Sequence, residues 1–150
     1  MNKPRAVLAT SAVFLSAALV ASYFQSQEPA IKATDVLTWD CESAEYKPES
    51  ITLTCADGGL LLRRIDWKEW GPEGARGSGV YSENNCQPDC ASGEFSNTLV
   101  EISLNPSIRS NSLKYLENLV IKPLKGQTLP RNQFQIEVDL SEFSRLIGND

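Results

Sequence analysis

Residues 51–70 read ITLTCADGGLLLRRIDWKEW, and their spacing decides the fold class. Ile51, Leu53 and Cys55 recur at every second position with Thr52 and Thr54 between them, the period of a strand with one face buried. Asp57-Gly58-Gly59 supplies turn-forming residues. Residues 60–70 then resume the alternation, with Leu61, Arg63, Ile65 and Trp67 opposing Leu62, Arg64, Asp66 and Lys68. The pattern predicts an antiparallel hairpin.

The same period recurs downstream. Val100, Ile102 and Leu104 alternate with Glu101 and Ser103; Glu117, Leu119 and Ile121 alternate within 115–121; and Phe134, Ile136, Val138 and Leu140 alternate with Gln135, Glu137 and Asp139. Residues 80–83 are a weaker strand, preceded by glycines at 71, 74, 77 and 79 that suit a loop or a distorted edge strand. Ser141 can cap a short terminal helix running to Leu146. Short strands separated by Gly, Pro and Asn turns predict an all-β fold, a small antiparallel sandwich or barrel.

The N-terminal end has a different character. Lys3 and Arg5 precede 6–24, a run without charge, Gly or Pro, which is the arrangement of a secretory signal and also about the length of a bilayer-spanning helix, roughly 17–25 residues. We read 1–24 as a signal peptide or membrane anchor, with a cleavage site after Ala21, 25–38 as a polar spacer containing Pro29, and 39–150 as the β domain. Either way the domain is secreted or held at the exterior of a bacterial cell envelope, with membrane contact only through 6–24 if the signal is retained. The first cysteine, Cys41, lies too far beyond Phe24 for lipid attachment. Cleavage would remove Lys3 and Arg5 and no acid, taking the formal net charge from −5 to −7, which is poorly suited to nucleic acid.

All four cysteines, Cys41, Cys55, Cys86 and Cys90, lie in the exported part, where an even count reads as two disulfides. Of the three pairings, Cys41 with Cys55 and Cys86 with Cys90 close the shortest loops. A zinc site of four thiolates is the competing reading, since Cys86-Gln87-Pro88-Asp89-Cys90 brings two close, but structural sites use tighter spacing and export favours oxidation.

The chain has no histidine, which removes Ser-His-Asp and Cys-His catalysis and His-ligated zinc. Gly77-Ser78-Gly79 is not a nucleophile elbow, and no phosphate loop, dinucleotide fingerprint or calcium loop occurs, so neither cofactor nor metal is expected. Asp57, Asp66, Glu69 and Asp89 keep open an envelope-polymer hydrolase working through paired carboxylates. The leading expectation is a non-enzymatic domain that binds an envelope protein or glycan; a structural or inhibitory module presenting the 86–90 loop is the other. Trp67 shares a face with Ile65 and reads as core, whereas Trp70 falls on the opposite parity, so the expected contact surface is Trp70 with Arg63 and Arg64. Lys68 and Arg76 extend this basic cluster, balanced by Asp66 and Glu69.

Residues 51–95 also resemble a family of small uncharacterised secreted proteins of actinobacteria. The resemblance rests on Cys55-Ala56-Asp57, Trp67, Trp70-Gly71, Ala75, Gly77, Gly79, Asn85-Cys86, Pro88, Cys90-Ala91 and Gly93. It implies export and a compact disulfide-bonded domain, and it transfers no activity.

Overall fold

A computed structural model describes residues 35–41, 43–106 and 115–146. The segments read as signal or anchor, 1–24, and as spacer up to residue 34 lie outside the described residues. Strands β1 (Thr38–Trp39) and β2 (Ala44–Glu45) form a small sheet. The main sheet has six antiparallel strands in sequence order: β3 (Ile51–Thr52), β4 (Leu60–Gly71), β5 (Gly74–Asn84), β6 (Phe95–Pro106), β7 (Leu116–Pro123) and β8 (Ile136–Asp139). A helix, α1 (Ser141–Leu146), follows. The fold is therefore all-β and disulfide-bonded, built on one curled sheet.

The first hairpin forms as its period requires. Ile51 pairs with Leu62 and Thr52 with Leu61, and the Leu53 N–H donates to the Leu60 carbonyl at 2.8 Å. In the turn, Gly59 N–H donates to Asp57 Oδ1 at 2.9 Å, and this bond, with a smaller one from Thr54, holds the Asp57 carboxyl below its usual range.

Strict alternation fails along β4, and the failure shapes the sheet. The register against β5 slips by one residue between Arg63 and Asp66 and again between Trp67 and Glu69. Each slip is a β-bulge that reverses side-chain parity and increases the local twist. At the first, Arg64 adopts φ 51°, so Leu62 and Ile65, three apart, both enter the core. At the second, Trp67 and Trp70 come to the same side.

Trp70 is thus not the exposed residue that parity predicts. Half-buried, it packs edge-on to Trp67 at 4.9 Å between centroids, and its Nε1–H donates to the Val36 carbonyl at 2.8 Å. Trp67 Nε1–H donates likewise to the Pro48 carbonyl at 2.8 Å. The two indoles fasten the segments before and after the small sheet onto β4.

The glycine-rich segment is also corrected: it forms the first half of β5, a central strand paired on both sides and not a loop or edge. Gly77 and Gly79 belong there because the bulged β4 leaves no room. A Cβ on Gly77 would lie 2.6 Å from the Asp66 carbonyl oxygen, and one on Gly79 3.1 Å from that of Arg63.

The inner face of the curl carries Leu62, Tyr81, Val100, Leu104, Leu119 and Ile121, all buried. Each such side chain stabilises by roughly 1.5–3 kcal/mol through burial. The small sheet covers one end, where Trp39 stacks on Tyr115 at 4.8 Å. Leu37 bridges Tyr115, and buried Thr38 donates through Oγ1 to the Leu116 carbonyl at 2.8 Å. The last residues read as spacer, 36–38, therefore pack as part of the domain.

Three expectations gain detail near the C-terminus. β8 begins at Ile136, where pairing with Ile121 ends, and Phe134 is 94% exposed instead of continuing the buried face. The helix is present, but Asp139 Oδ1 caps it by accepting from Ser141 N–H at 3.0 Å and Ser141 Oγ–H at 2.6 Å. Glu117, expected on one face with Leu119 and Ile121, sits at a bulge opposite Asn105 and Pro106 and is buried together with Leu116.

Between β7 and β8 a loop crosses the open end of the curl. It buries Leu129, and Arg131 reaches Glu83 at 2.6 Å. Tyr81 Oη–H donates to Glu83 Oε2 at 3.1 Å. Burial first, and the Glu83 charge second, raise the Tyr81 pKa above its ordinary value of 10.0. The unfolded chain thus releases this proton at a lower pH than the native one. The stabilisation is complete below pH 10 and falls as pH rises beyond it. Denaturant midpoints should accordingly drop above pH 10 more steeply in the native protein than in Tyr81→Phe.

Candidate functional site

The structure separates the three residues expected to form one contact surface. Arg63 projects on the outer face of the sheet in register with Val80, Arg64 is the exposed bulge residue, and Trp70 lies on the inner face. Of the wider basic cluster, Lys68 pairs with Asp66, and Arg76 lies 4.0 Å from Glu69.

The four acids proposed for catalysis are also dispersed. Asp57 and Asp89 occupy turns at one end of the β4–β5 hairpin and serve the backbone there, Asp89 accepting from Ser92 N–H at 2.8 Å. Asp66 and Glu69 stand further along β4, each beside its cation. The cysteines pair as Cys41–Cys55 and Cys86–Cys90, leaving no free thiol for zinc. Among the described residues, no group of three or more His, Cys, Asp or Glu is placed to hold a metal ion.

What the register does assemble is a continuous outer surface. One row crosses the sheet as Asp66, Ser78, Glu101 and Lys122; the next as Glu69, Arg76, Ser103 and Val120. All of these but Asp66 line a groove of about 580 Å³, which Gly77, Ile102 and Leu124 also border. Its rim alternates in sign, with Lys68, Arg76 and Lys122 against Glu69 and Glu101, and no aromatic side chain lines it.

Toward the Cys86–Cys90 loop, the same face changes chemistry. The next rows are Arg63, Val80 and Leu99, then Leu61, Ser82 and Asn97, with Phe95 beyond. Arg63 donates through Nε (3.0 Å) and Nη2 (2.8 Å) to Ser82 Oγ, and through Nη2 to Asn97 Oδ1 (2.9 Å). Ser82, fully buried, donates to the same Asn97 oxygen at 2.7 Å. The guanidinium lies 5.6 Å from the centre of the Phe95 ring. Phe95 and Leu99 remain 41% and 50% exposed.

No family model, curated protein or solved structure matches this chain. The surface must therefore be judged on its own chemistry. Sequence reading missed Leu99, although the signal was present: it shares with Phe95 the parity of Glu101 and Ser103, the exposed face of β6, where apolar residues do nothing for the core. The bulges had no such signal, because their cause is the contact of β4 with Gly77 and Gly79 on another strand.

Proposed function

We propose that this chain is an exported domain that binds another protein, in the cell envelope or outside the cell, through the outer face of its curled sheet. The observation that carries the reading is the groove across β4–β7, whose opposed charges are exposed on the outer face of the sheet. Aromatic platforms are the usual grip for sugar rings, and the groove lining has none, which favours a protein over a glycan. Alternating charges suit a partner of complementary pattern and give specificity more than affinity. Export is supported by the Lys3, Arg5 and 6–24 pattern and by two disulfides, which persist in oxidising compartments.

A photo-crosslinking side chain at Ser103, in the groove, tests the reading against one at Glu142, on α1. Exposed on the producing cells, the Ser103 protein should give a discrete protein adduct that the Arg76→Glu, Lys122→Glu double variant loses. The Glu142 protein should give none. Equal labelling from both positions, or glycan-array binding without a protein adduct, would overturn it.

A further inference from the structure

We propose that Arg63 is the anchor of this face, and that it takes a single carboxylate carried beside an apolar side chain of the partner. The inference rests on the protein-binding reading and adds the chemistry of what is bound.

The argument begins with how Arg63 is held. Three of its five N–H groups are satisfied by Ser82 and Asn97, both neutral. In the same acidic chain, Lys68, Arg76 and Arg131 each stand beside a carboxylate. Arg63 forms no salt bridge among the described residues, and neither does its neighbour Arg64. The guanidinium therefore keeps its full charge while its orientation is already fixed, so an incoming anion need not displace a carboxylate or freeze a long side chain. Among the described residues, the two N–H groups of Nη1 have no partner and stay open for it.

The surroundings define the ligand further. Phe95 and Leu99 flank Asn97 on the same face of β6, roughly 7 Å to either side along the strand. Both are exposed, and half-buried Leu61 lies two strands away in the row of Asn97. An Arg among exposed apolar groups is the composition of a binding anchor. One guanidinium held by neutral acceptors matches a singly charged planar carboxylate better than a phosphate, which gathers several cations.

A purely architectural role for Arg63, as a clip across β4, β5 and β6, is the alternative. It predicts no response to anions.

The test uses the folded domain and small probes, read through the Arg63 Nε–H and the Phe95 and Leu99 signals in NMR spectra. N-acetyl-leucine carries a carboxylate next to an apolar side chain; N-acetyl-leucinamide is its neutral twin; N-acetyl-glutamyl-leucinamide offers the acid as a side chain. The acids should shift all three residues saturably. The amide should bind about tenfold more weakly or less, the expected loss of one charge-assisted hydrogen bond.

Whichever acid binds more tightly identifies a chain-terminal or a side-chain source. Arg63→Gln should abolish the difference between acid and amide. Equal shifts from acid and amide, or tighter binding of inorganic phosphate, would overturn the proposal without needing any variant to fold. Failure here with the Ser103 adduct intact would remove the anchor and leave the binding face standing. Loss of that adduct with acid binding intact would do the reverse.

Discussion

Replacing Gly77 with alanine is expected to cost the domain about 3 kcal/mol, near the upper end for a methyl forced into a packed site. The new Cβ would meet the Asp66 carbonyl oxygen at 2.6 Å and both the Cα and Cε3 of Trp67 at 3.1 Å. Backbone cannot swing away as the tip of a flexible side chain can, so β4 and β5 must separate where the first bulge ends and the second begins. Two companion variants grade the effect. In Gly79→Ala the closest contacts are the Arg63 oxygen and Ile102 Cδ1, each at 3.1 Å, and the isoleucine end can yield. Gly71→Ala meets nothing within 4 Å and should stay within about 1 kcal/mol of the native protein. Urea midpoints of the three should fall in the order Gly71, Gly79, Gly77. Equal midpoints would show that the bulges do not depend on glycine opposite them.

The same contacts explain what could be read from the chain and what could not. Hairpin 51–62, the buried stripe Val100, Ile102 and Leu104, and the terminal helix were legible because period-two spacing and turn residues act locally. Trp70 was misplaced because the second bulge intervenes between it and Trp67 and reverses the face that counting from Trp67 assigns. Glycines that look like a loop are in fact the space into which the neighbouring strand bends. Phe134 follows the correct period but lies beyond the last paired residue, so it stays in solvent. At the candidate site, Arg63 was identified from its charge alone. Its partners Ser82 and Asn97 lie 19 and 34 residues away and become neighbours only through the register of three strands.

The disulfides should contribute unequally, and the difference bears on where the protein can work. Cys41–Cys55 spans a separation of 14 residues, for which the chain-entropy account gives about 3 kcal/mol. It also ties the segment between β1 and β2 to the turn that follows β3, and Cys41 packs against the core.

Cys86–Cys90 spans 4 residues and closes a loop that is braced in other ways. Asn84 Oδ1 accepts from Cys86 N–H at 2.8 Å, Asn84 Nδ2 donates to the Cys90 carbonyl at 2.9 Å, and Asn85 Oδ1 accepts from Gln87 and Glu94 N–H at 3.0 Å. Its removal should therefore cost less than the roughly 2 kcal/mol that loop closure alone implies. The Cys41→Ala, Cys55→Ala variant should unfold at clearly lower urea than Cys86→Ala, Cys90→Ala, and equal losses would refute the ranking.

Reduction of both bonds removes on the order of 4–5 kcal/mol, close to the whole net stability of a marginal domain. In a reducing compartment the curled sheet would then unfold in a large fraction of molecules, and the register that brings Arg63, Ser82 and Asn97 together would be lost with it. Urea unfolding with and without reductant measures this directly. A midpoint unmoved by reductant would mean that core packing alone holds the binding face and that the fold places no demand on an oxidising environment.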